Sequence, residues 1–261
     1  MSRPTGGAPE VGDAAQVAPT PDTSGTTDRS APWRDRVSAG VRAGRRTGAL
    51  PLLGVLVLPV PVLLAAHQIH YWDVPPFGSE RWTVNGDRTV IEFLGYVQLL
   101  AAAALLVIGR RRHGGPVYAA WGATLVVIVL DDSLAFHERG GAWLHHHDLV
   151  PGSSGLPPQE LGELVTWGLI GVPVLALLWW AHRHSSPAAQ ADSWRMAALT
   201  VVLMSFAVGI DLVHEVVEEL TDSGVVDLLM TFIEAGGEIV SMSLLLALAV
   251  HLVRRGQVPV R

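Results

Sequence analysis

The feature that most narrows what this chain can fold into is a series of apolar runs, each too long for a strand or an ordinary core helix. They cover approximately residues 49–66, 89–109, 116–137, 161–181, 194–218 and 227–252. A helix rises about 1.5 Å per residue and needs roughly 20 apolar residues to cross about 30 Å of hydrocarbon. The apolar content, 49% of 261 residues, is thus gathered in blocks rather than spread at core periodicity. The expected class is all-α, a polytopic membrane helix bundle with six transmembrane helices, one for each run. The run over 49–66 follows its arginines too late to read as a secretory signal, so it is expected to stay as the first span. Pro51, Pro59 and Pro61 should bend it, because proline removes a hydrogen bond from the ladder.

Arginine placement gives an orientation. Arg34, Arg36, Arg42, Arg45 and Arg46 precede the first span, Arg110, Arg111 and Arg112 follow the second, Arg183 and Arg195 flank the turn between the fourth and fifth, and Arg254, Arg255 and Arg261 follow the last. With an even number of spans all of these share one side, while Arg81, Arg88 and Arg139 fall on the other. The positive-inside tendency then predicts both termini cytoplasmic, in a cell membrane. Residues 1–30, rich in Gly, Pro, Thr, Ser and Asp, read as a disordered tail, and 31–48 as an Arg-rich juxtamembrane segment, an amphipathic helix on the inner surface. The transmembrane domain covers 49–252 and a short cytoplasmic tail 253–261.

Composition removes several kinds of chemistry. Without cysteine there are no disulfides, thiolate metal sites or cysteine nucleophiles. All 18 basic residues are arginine, so no lysine Schiff base can form. No glycine-rich nucleotide loop, Gly-x-Ser-x-Gly elbow or His-Glu-x-x-His motif occurs. Neither a nucleotide cofactor nor a nucleic-acid partner is expected; the expected partner is membrane lipid.

Against this apolar background, Val201–Glu219 ends in four carboxylates and a histidine. On a helix Asp211, Glu215 and Glu218 lie within about 60° of one another, with His214 beside them. The alternating topology carries further ionisable groups to the same side: Asp131, Asp132, His137 and Glu138 at the end of the third span, Asp227, Glu234 and Glu238 in the first half of the sixth, and His67 and His70 after the first. If the third helix ran through residue 137, Asp131 and Glu138 would share a face about 10 Å apart. Glu234 and Glu238 form an i,i+4 carboxylate pair, which repels in a low dielectric until a proton or cation intervenes.

The candidate metal ligands are therefore Asp131, Glu138, Asp211, His214, Glu215, Glu218, Glu234 and Glu238, with His137, His67 and His70 as secondary candidates. The expected cofactor is a divalent metal ion, Zn, Mn or Fe, with Ca or Mg favoured if the imidazoles stay outside the shell. Three functions fit: binding and possible movement of that ion; a metal-dependent membrane enzyme, oxidoreductase or hydrolase, acting on a lipid-like substrate with Glu215 or Glu218 as base; or a non-enzymatic sensor or assembly component. The bland alternative is a set of helix-end carboxylates in water, paired with Arg81, Arg88 and Arg139. His145, His146 and His147 are expected in the Gly- and Pro-rich loop over 139–159.

Overall fold

The computed structural model describes residues 33–84, 89–113, 115–150, 157–221 and 223–255. The expected tail over 1–30, Arg88 and Arg261 lie outside the described residues, as do the side chains of Arg110, Arg111, Arg112, Glu215, Glu218 and Glu219. The described regular structure is helical throughout, and six helical stretches are long and apolar enough to cross a membrane. Helix α1 (Trp33–Thr47) is the arginine-rich segment. The first span is α2 (Ala49–Val57) followed by α3 (Val60–His70), interrupted where Pro59 cannot donate a backbone hydrogen bond. After a loop with one 3-10 turn at Glu80–Trp82 comes α4 (Val90–His113). The third span, α5 (Pro116–Ser133), is followed by a separate short helix, α6 (Phe136–His146), and the fourth is α7 (Pro158–Arg183). The fifth span runs from α8 (Pro187–Met204) through a π-helical turn at Ser205–Ile210 into α9 (Asp211–Leu220). The sixth is α10 (Gly224–Arg254).

Sequence explains most of these boundaries. Three spans begin with proline in the first helical turn, at Pro116, Pro158 and Pro187, where a missing N–H costs nothing. Thr89 and Glu92 cap α4 reciprocally: the Thr89 N–H donates to Glu92 Oε2 at 3.2 Å and the Glu92 N–H to Thr89 Oγ1 at 3.4 Å.

The end of the third span departs from expectation. The helix stops at Ser133, and Ala135 takes the left-handed conformation at φ 50°, so the chain turns into α6 instead of continuing to residue 137. Asp131, Asp132 and Ser133 precede the break, side chains that compete with the helix for backbone hydrogen bonds. Asp131 and Glu138 therefore share no helix face. His145 and His146 fall in the last turn of α6 rather than in a loop. This helix lies directly on α7: a Cβ on Gly162 would come within 2.7 Å of the Gly141 carbonyl, so only glycine permits the approach.

Leu99, Leu106, Leu125, Leu245 and Leu252 are buried where α4, α5 and α10 meet, with α8 packed against them. The spans alternate, giving two chemically distinct ends. At the arginine end, buried Asp192 on α8 accepts from Arg195 Nη1 at 2.9 Å, Arg255 Nη1 at 2.8 Å and the Tyr118 hydroxyl at 2.7 Å, and Arg255 Nη2 also reaches it. Those contacts join α5, α8 and α10. Arg254 donates to the Thr47 carbonyl at 3.3 Å, so the start of the first span and the end of the last lie at this one end.

Asp192 is buried, while the Arg195 and Arg255 side chains it binds are 52% and 30% exposed and regain water when it is removed. Asp192→Ala should lower stability by about 1–3 kcal/mol, the cost of hydrogen bonds lost to a charged group, read as a fall in melting temperature of the detergent-solubilised chain. Ala135→Gly should raise it, by about 1 kcal/mol, because glycine takes a left-handed conformation without the steric cost an L side chain meets there.

Candidate functional site

The opposite, acidic end holds a cavity of about 140 Å³ between α4, α5 and α10. Four carboxylates line it, Glu92 from α4, Asp132 from α5, and Glu234 and Glu238 from α10, together with Tyr96. Ile91, Ile239 and Met242 form its apolar floor and sides. Each acid arrives by a simple route. Glu92 sits in the first turn of α4 and also closes its capping box. Glu234 and Glu238 lie one turn apart on α10, and Asp132 sits in the last turn of α5. Glu238 is within Coulombic range of Asp132, Glu234, Asp211 and Glu92. The space admits several water molecules, and its walls offer oxygen ligands.

His214 joins this cavity to the start of α10. Its Nδ1 lies 3.1 Å from Glu234 Oε2 and its Nε2 3.1 Å from Asp227 Oδ1. Ionised carboxylates only accept, so two short N···O lines require two protons among the three groups. The triad is a proton-holding unit with one arm on the cavity wall. Its geometry depends on the π-helical turn that swings α9 towards α10, and Gly237 makes room for that turn, since a Cβ there would strike the Phe206 ring. Asp211 opens α9.

A second cluster lies on the other side of α5. Asp131, 1% exposed, accepts from His137 Nδ1 at 2.9 Å, while its Oδ1 is buried with no hydrogen-bond partner among the described residues. His137 Nε2 lies 3.9 Å from Glu138 Oε1, and the ring leans on Trp167 with centroids 5.3 Å apart. Burial of this ring pulls its pKa down, but the hydrogen bond and charge of Asp131, with Glu138 and Glu163 behind, outweigh it and raise the pKa above 6.5.

The structure thus brings together Glu234 and Glu238 at the cavity, His214 with Glu234, and Asp131 with His137 and Glu138. It separates these into two clusters rather than one. His67 and His70 serve the adjoining loop: His67 Nδ1 accepts from the Val84 N–H at 3.1 Å, and His70 Nδ1 donates to the Phe77 carbonyl at 3.0 Å. Sequence reasoning did not choose Glu92, Tyr96 or Asp132 for the site. Among the described residues, no group of three or more His, Asp or Glu side chains is disposed to ligate one metal ion directly.

Because the folded pKa of His137 is raised, its protonation stabilises the fold fully below pH about 6.5, and that contribution is lost as pH rises through the folded value. Asp131→Asn should shift the His137 titration to lower pH, followed by NMR of the imidazole resonances. It should also flatten the fall in melting temperature as pH rises above about 6.5.

No curated protein and no solved structure matches this chain. Residues 50–252 match a family described as a domain of unknown function, and on that extent the chain belongs to this family, DUF8692.

Proposed function

We propose that this membrane protein holds a hydrated divalent metal ion in its acidic cavity, and that the Glu234–His214–Asp227 triad takes up or releases a proton as the ion enters or leaves. The convergence of four carboxylates from three apolar helices on one small cavity carries this reading. Such a concentration of like charge in a low dielectric draws cations and protons to it. A cation that keeps part of its water shell accounts for a site rich in oxygen in which, among the described residues, no three side chains stand at direct ligand positions. Oxygen walls, with the imidazole one step behind, favour Mn²⁺, Mg²⁺ or Ca²⁺ over Zn²⁺. One turn further along α10, Leu245 and Leu99 close the core, and there Ser243 donates to Gln98 Oε1 at 2.9 Å. That closure favours an ion held at one end of the bundle over one conducted through it.

The detergent-solubilised full chain should bind about one Mn²⁺ in a titration followed by electron paramagnetic resonance. Affinity should fall as pH is lowered, because protons compete for the carboxylates. The double variant Glu234→Gln/Glu238→Gln should weaken binding by at least about tenfold, of the order found when metal-site groups are removed. Equal and negligible Mn²⁺ in wild type and variant would overturn the metal reading and leave the cavity as a proton site.

A further inference from the structure

A second concavity shares no residue with the acidic cavity. It runs between α5, α7 and α8 and measures about 560 Å³, within the range of small-molecule sites. Its walls are side chains such as Trp121, Ile128, Leu175 and Val201, and it extends from Trp167 to His182 along α7. The rise from the first of these to the last is about 22 Å of helix. A single leaflet of a bilayer contributes about 15 Å of hydrocarbon, so the groove accommodates the full depth of one acyl chain. Leu175 and Val201 are largely exposed on the flank of the bundle, the side that faces lipid when these helices span a membrane.

The two ends of the groove differ. At the arginine end Trp179, Trp194 and His182 frame the opening, with the His182 and Trp194 rings 5.6 Å apart. Arg183 stands on the rim, exposed, its guanidinium 4.7 Å from the Trp179 ring centroid. It makes no ion pair with a carboxylate among the described residues. Arg195 nearby is engaged by Asp192, so among the described residues Arg183 is a cation placed to meet a ligand at this mouth. Within the wall, the Thr200 hydroxyl is buried and has no hydrogen-bond partner among the described residues. A tryptophan-framed opening with one available guanidinium above an apolar slot is the complement of an anionic headgroup on a hydrocarbon chain.

We propose that this groove is a binding site for one anionic phospholipid, an acyl chain lying along α5, α7 and α8 and the phosphate at Arg183. Arg183 selects the anionic headgroup; Gly171 leaves the slot open. A Cβ on Gly171 would meet nothing within 4 Å, so a larger side chain there fills the groove without displacing packed atoms.

The full chain, reconstituted in nanodiscs of equal phosphatidylglycerol and phosphatidylcholine, should be released in a native mass spectrometer with retained phosphatidylglycerol favoured by about fivefold, the discrimination one arginine near the surface supplies. Arg183→Gln should bring the two lipids to equal retention. Gly171→Leu should lose both while keeping the wild-type melting temperature, and Leu169→Trp, an exposed position on α7 outside the groove, should change neither. Equal retention of the two lipids by wild type, an unchanged preference in Arg183→Gln, or wild-type retention in Gly171→Leu would each overturn the proposal. None of these outcomes bears on Mn²⁺ binding at the cavity.

Discussion

Inside hydrocarbon every backbone N–H and C=O must be satisfied by the segment that carries it, and the rest of this structure follows from that constraint. A helix meets it and leaves its side chains to make their own arrangements. Several hydroxyl groups find theirs locally: Thr124, Thr166, Ser185 and Ser241 each donate to the carbonyl four residues back, at 2.7–2.9 Å. A carboxylate cannot do the same, because it only accepts and the N–H groups of its own helix interior are already used. Each buried acid must look to another helix, a proton or an ion. The helix that solves the backbone problem thereby turns every acid in a span into a tertiary or a ligand-binding element.

The two ends of the bundle answer this demand differently. At the arginine end Asp192 meets two guanidinium groups and a phenol, and fixes α5, α8 and α10 to one another. At the acidic end the partners that Asp131, Asp227 and Glu234 meet among the described residues are imidazoles, His137 beside Asp131 and His214 between Asp227 and Glu234. A guanidinium stays charged throughout the working pH range, whereas an imidazole exchanges its proton near neutrality. The first end is therefore held by pairs whose charge is fixed, and the second by pairs whose strength depends on protonation.

Much of this was legible in sequence because it depends on quantities that sequence carries directly. Run length and hydropathy give six spans, and alternation then brings Glu234, Glu238 and His214 to one end. What escaped depends on where a helix stops and how it is wound. No motif announces that α5 ends at Ser133, nor that α8 continues into α9 through a π-helical turn, and either feature rotates all later side chains. Asp132, and not the expected Asp131, thus faces the cavity, and the ring nitrogens of His67 and His70 hold a loop instead of joining a cluster. Asp192 went unremarked too, although Arg195 three residues later was a local sign of its pairing.

Asp131 and Asp132 show how much follows from the one break. Consecutive residues point about 100° apart on a helix, so the end of α5 sends one acid to the cavity and the other to the face covered by α6 and α7. In a continuous helix His137 would stand six residues beyond Asp131, about 9 Å along the axis and about 120° around it, out of reach. The left-handed conformation at Ala135 folds the chain back and brings the two within 2.9 Å. Such a conformation costs an alanine about 1–2 kcal/mol and persists where the surroundings determine it. Here two contacts do so, the Asp131–His137 hydrogen bond on one side of the turn and the glycine-to-glycine approach of α6 and α7 beyond it. The strained residue is what gives Asp131 its imidazole partner, because without the turn His137 would stand out of its reach.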